Sequence, residues 1–129
     1  MSELFSEIWM QGLQQRWNAD ETVVKPLAEA KFNARIAYGF KGEDSPRGML
    51  VIQQGKAVQA GSYDGGELDW DLRAEPQRWQ EWIDSGFGLS KLGPAVATGA
   101  LHFAQGNYRQ MIRNPALSHP FLHHFELME

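Results

Sequence analysis

Cysteine is absent from the chain, which removes disulfides, a thiolate nucleophile and Cys-ligated zinc from its chemistry. No apolar run approaches the roughly 18 residues of a membrane span, so stable membrane insertion is not expected. Lys and Arg number 12 against 16 Asp and Glu, a net charge of -4. The basic excess of a nucleic-acid binder is therefore missing. The opening residues, Met-Ser-Glu-Leu-Phe-Ser-Glu, lack the cationic start of a secretion signal. A cytoplasmic protein is the expectation. No linker, repeat or low-complexity tract breaks the 129 residues, and that length suits one domain over 1–129. Aromatic groups are plentiful: five Trp and seven Phe, beside five Met.

Hydrophobic spacing orders the elements. Leu4, Phe5, Ile8, Trp9, Leu13 and Trp17 recur at helical intervals, predicting a helix from Ser2, its N-cap, to about Asn18. Asn18 to Leu27 reads as a short further helical turn ending near Pro26. From Lys31 the period falls to two, with Phe32, Ala34, Ile36, Tyr38 and Phe40 on one face of a strand. Gly48–Gln54, Ala57–Tyr63 and Glu67–Arg73 follow as strands, and their short connections favour an antiparallel meander.

Helical spacing returns after Glu75, where Pro76 suits a first turn and Trp79, Trp82 and Ile83 form the inner face before Gly86. A short helix within Leu89–Thr98 precedes a strand at Ala100–Gln105 carrying Leu101 and Phe103. Gly106-Asn107 opens a helix with Tyr108, Met111 and Ile112 inward, stopped at Asn114-Pro115. Ser118 then caps a last helix bearing Phe121, Leu122, Phe125 and Met128. The fold class is α+β: a five-stranded, mostly antiparallel twisted sheet with helices covering one face.

Candidate chemistry is sparse. Gly86-Phe-Gly88-Leu-Ser-Lys-Leu-Gly93 has a phosphate-loop flavour but the wrong spacing, and it follows a helix where such loops follow a strand. Ser90-Lys91-Leu92 spells a peroxisomal address that is read only at a C-terminus. His119, His123 and Glu126 share a helical face, yet Pro120 stands where a zinc helix needs Glu. These histidines, with His124, are expected on or beside the solvent face, with no metal. Asp69 and Asp71 share a strand face, which reads as the solvated side of an amphipathic strand rather than an acid/base pair. No serine sits in a Gly-x-Ser-x-Gly elbow. An enzyme is not expected, nor a cofactor.

The second half shows an amphipathic strand (Asp69–Arg73), a Trp-bearing helix, Gly86, then Gly99, the strand Ala100–Gln105 and the Gly106-Asn107 helix opening. In that layout the chain resembles the sterol carrier protein type 2 family, although Ala100 stands where the family often has Lys. The resemblance implies an apolar cavity between sheet and helices for a fatty acid, acyl chain or sterol-like ligand. Its walls would be Trp79, Trp82, Ile83, Leu101, Phe103, Met111, Ile112, Phe121, Leu122 and Phe125. The function expected is non-catalytic lipid binding or transfer. The alternative is a protein–protein interaction module, a homodimer or enzyme-associated accessory domain with a vestigial cavity.

Overall fold

The computed structural model describes residues 4–85, 94–106, 113 and 115–128. Helix α1 (Glu7–Ala19) starts at Ser6, whose side chain accepts from the Trp9 N–H at 3.3 Å. The expected start at Ser2 is too early, because Phe5 adopts φ 64° and no helix passes through that conformation. Phe5 instead turns inward and is fully buried against the Tyr38 and Trp79 rings. Trp9, Met10, Leu13 and Trp17 are the inner face of α1.

Asp20 caps α2 (Glu21–Glu29), accepting from the Thr22 N–H at 2.9 Å. This helix is longer than the turn expected and runs past Pro26, since Val23 and Leu27 make a buried stripe that outweighs one lost backbone bond.

Five strands follow one another across a sheet of order β3-β2-β1-β4-β5: β1 (Ala34–Phe40), β2 (Gly48–Gln53), β3 (Lys56–Ser62), β4 (Trp70–Ala74) and β5 (Leu101–Gln105). The first three form the expected meander. The fourth departs from it: β4 pairs parallel to β1, with Ile36 opposite Trp70 and Phe40 opposite Ala74. Residues 63–69 therefore cross from one edge of the sheet to the far side of β1. Arg35 guides that crossing, bonding Asp64 through its guanidinium at 2.7 Å and Asp69 through its N–H at 2.8 Å. Gly66 passes so close above the Arg35 guanidinium that a side chain there would collide with it.

The crossing hides charges expected to be solvated. Asp71 and Arg73 point to the face away from the core and are buried, paired at 2.6 and 3.0 Å. Arg73 also donates to the Glu43 carbonyl at 2.8 Å, so the β1–β2 loop covers the pair from its other side. Asp69 stays exposed and lies just before the strand.

Helix α3 (Pro76–Ser85) and α4 (Pro115–Glu126) complete the core, with a short helical turn over 94–97 between them. Pro115 opens α4, a position that suits its missing N–H, so Ser118 lies inside the helix rather than capping it. Gly86, residues 89–93, the Asn107 helix opening and Tyr108 lie outside the described residues. One cluster of buried side chains, from Phe5 to Met128, fills the space between the sheet and the helices.

Candidate functional site

The inner faces of α3, β5 and α4 meet over one end of the sheet. Trp79 is fully buried, and its indole N–H donates to the Gly39 carbonyl at 2.9 Å. Its ring stands at 5.0 Å from Phe5, 5.5 Å from Trp82 and 6.4 Å from Phe125. Of the ten expected wall residues, Trp79, Trp82, Leu101, Phe121 and Phe125 are buried in this cluster. Ile83, Phe103 and Leu122 are half-buried against it, while Met111 and Ile112 lie outside the described residues. Two clefts of about 570 and 590 Å³ open elsewhere, one beside Tyr63, Glu67 and Asp71, the other beside Asn33, Arg35 and Asp69. None of the ten lines either cleft.

Sequence reasoning missed the polar pair inside this cluster. His124 is fully buried, contrary to its expected place beside solvent, and its Nε2 lies 2.8 Å from the Tyr38 hydroxyl. Its Nδ1 meets the Phe121 carbonyl. The signal was available: Phe121, His124, Phe125 and Met128 follow i, i+3, i+4, i+7, so His124 completes the apolar stripe. Trp17, Phe121 and Phe125 pack their rings around the imidazole. His123 behaves differently. It is bracketed by Asp20 at 2.9 Å and Glu126 at 3.0 Å, tying α4 to the start of α2. His119 is exposed. A third tie joins α1 to the end of α4, the Arg16 guanidinium donating to the Leu127 carbonyl.

Burial pushes the His124 imidazole down from 6.5 to about 4, only partly opposed by its bond to Phe121. The unfolded chain therefore takes up this proton at a higher pH than the folded one. Stability contributed by neutral His124 is complete above about pH 6.5 and is lost as pH falls toward 4, about 3 kcal/mol in all. Burial opposes the charge of Asp20, but the His123 hydrogen bond and charge, with the Thr22 and Val23 N–H groups, hold its carboxyl below the usual range. Asp20 thus adds its loss at lower pH than the upper part of the His124 window. The urea midpoint should fall steadily between pH 6.5 and 4.5, and His124→Gln should flatten that fall. An equal slope in both proteins would remove His124 as its source.

No protein-family model and no curated protein matches the chain. Solved structures do. A crystal structure of sterol carrier protein 2 superposes with a TM-score of 0.75 at 20% identity, over 98% of this chain and 97% of that one. The chain has the sterol carrier protein 2 fold. A conserved hypothetical protein of Thermus thermophilus shares it at a TM-score of 0.66 and 20% identity, covering 98% of this chain and 91% of its own. The UbiJ-SCP2 ubiquinone synthesis protein shares it at 0.61 and 13% identity, over 92% of this chain and 86% of its own. This common sterol carrier frame includes the five-stranded sheet and its helical cover, so the expected α+β class holds. Among the described residues no helix is long and apolar enough to cross a membrane.

Proposed function

We propose that the protein is a non-catalytic binder of a lipid or other long apolar ligand, held between the sheet and α3, β5 and α4. The observation that carries this reading is the aromatic cluster beneath α4. Phe121 and Phe125 close over Trp70 and Trp79 on a fold shared with a sterol carrier protein. Apolar chains would be drawn in at roughly 0.8 kcal/mol per CH₂ removed from water, offset by the ordering the ligand loses. The ten wall residues named from the sequence are the proposed lining, Met111 and Ile112 among them. Helix α4 is the proposed cover, because its Phe121 and Phe125 lie over Trp70 and Trp79 and side-chain ties to α1, α2 and β1, not backbone pairing, hold it in place.

The interaction-module alternative has less support at the sheet edge. Asn18 and Gln14 of α1 bond the N–H and C=O of Ala57 on β3, blunting the strand edge that a second copy would extend. Native mass spectrometry of freshly purified protein, followed by organic extraction, tests the ligand reading. Lipid at about one per chain is expected. An empty protein that also fails to take up neutral long-chain ligands would overturn it, and a concentration-dependent dimer would then favour the module.

A further inference from the structure

We propose that His123 is a pH-sensitive catch that fastens α4 to the start of α2, closed when the imidazole is protonated and slack when it is neutral. The geometry of its two ring nitrogens carries the inference. Nε2 lies 2.9 Å from Asp20 Oδ2, and Nδ1 lies 3.0 Å from Glu126 Oε2. An ionised carboxylate can only accept, so both nitrogens must donate at once, and only the imidazolium carries two N–H groups. A neutral ring gives up one of the two bonds and the charge attraction to both carboxylates.

Asp20 extends the catch beyond α4. Its Oδ1 accepts from the Thr22 N–H as the cap of α2, while its Oδ2 meets His123, 103 positions away in the chain. Burial opposes the Asp20 charge, yet the His123 bond and charge and the Thr22 and Val23 N–H groups hold its carboxyl low, so Asp20 is ionised throughout the histidine range. Other charged groups on the neighbouring elements are engaged elsewhere or face water. Arg16 of α1 is turned to the Leu127 carbonyl, and Glu21, Lys25 and Glu29 of α2 are exposed. His119 on α4 is exposed too, and His124 is buried on the Tyr38 side. Among the described residues, the ion pairs of His123 are those with Asp20 and Glu126.

Two adjacent histidines then limit the docking of α4 from opposite sides. His124 must stay neutral, which loosens the helix as pH falls below about 6.5. His123 must be charged, so its contribution is complete on the acid side of the histidine range and is lost as pH rises through it. The helix is held most firmly between the two. The inference stands whether or not a ligand lies beneath α4.

Amide hydrogen exchange at pH 6.5 and 8.5, with each rate referred to that of the unstructured chain at the same pH, tests this. Protection over 115–128 should fall about fivefold at pH 8.5, the scale of a partly exposed ion pair, while β1 and β2 amides keep theirs. His123→Lys, a cation at both pH values, should show no such fall. His123→Gln should show the lower protection at both. The His123 side chain is 30% exposed, so neither variant disturbs the core. Equal protection of the natural protein at the two pH values would overturn the inference. A fall that persists in either variant would overturn it too, as would one shared by β1 and β2, which would place the effect in the whole fold.

Discussion

Trp79→Ala should cost about 3 to 5 kcal/mol, the usual range for emptying a large aromatic site. Three features place it toward the upper end. The indole is fully buried, so the surrounding space is lost outright unless neighbours collapse into it. Its ring joins the 4–6 turn, β1, α3 and α4 through Phe5, Tyr38, Trp82 and Phe125, which belong to different elements and cannot all close in together. The Gly39 carbonyl also loses its indole partner. Against a typical total stability of about 5 to 15 kcal/mol, this is a large fraction. With a urea slope of about 2 kcal/mol/M, the midpoint should drop by about 2 M. A drop under about 0.5 M would mean that neighbouring side chains refill the space Trp79 leaves, against the packing its full burial implies.

The same residue shows what the sequence could and could not convey. Trp79 and Trp82, three apart after Pro76, announced both a helix and its buried face, because local periodicity alone determines which side of a helix is apolar. Strand β4 was legible as a strand but not in its pairing. Parallel pairing with β1 depends on the crossing at residues 63–69, which Asp64 and Asp69 tie to Arg35, contacts between residues some thirty positions apart with no local pattern. That crossing also buried Asp71 and Arg73, whose alternation read as solvated. Of the glycines behind the family resemblance, Gly99 and Gly106 have φ 80° and 94° and flank β5, where the chain must turn in a way L side chains resist. They were legible because backbone geometry demanded them, and at Gly106 packing does so as well, since a side chain there would collide with the Trp70 ring and the Asp69 carbonyl. His124 was misplaced for the opposite reason: its residue type signals solvent, while its position on the stripe signals core, and position won. A hydrogen bond from Tyr38 and one to Phe121 made that burial affordable.

Phe125→Asp should separate the cover from the frame. The site is 3% exposed and ringed by Trp79, Phe121 and His124. Desolvating an unpaired carboxylate there costs several kcal/mol, and two of the three ties of α4, Arg16 to Leu127 and His123 to Asp20, lie at a partly exposed surface and return little. The helix is therefore expected to swing out and hydrate the new carboxylate rather than bury it. The sheet should survive, since no backbone pairing in it involves α4. Hydrogen exchange would show protection lost over 115–128 while β1 and β2 amides stay slow. Neutral alkyl ligands should bind roughly a hundredfold more weakly, the equivalent of about 3 kcal/mol. Phe125→Leu, which keeps an apolar group, should lose about 1 kcal/mol of stability and little affinity. Comparing the two variants distinguishes loss of the cover from simple loss of stability. An unchanged affinity in folded Phe125→Asp would mean that ligand is held without α4, and the cover would have to be sought in another element.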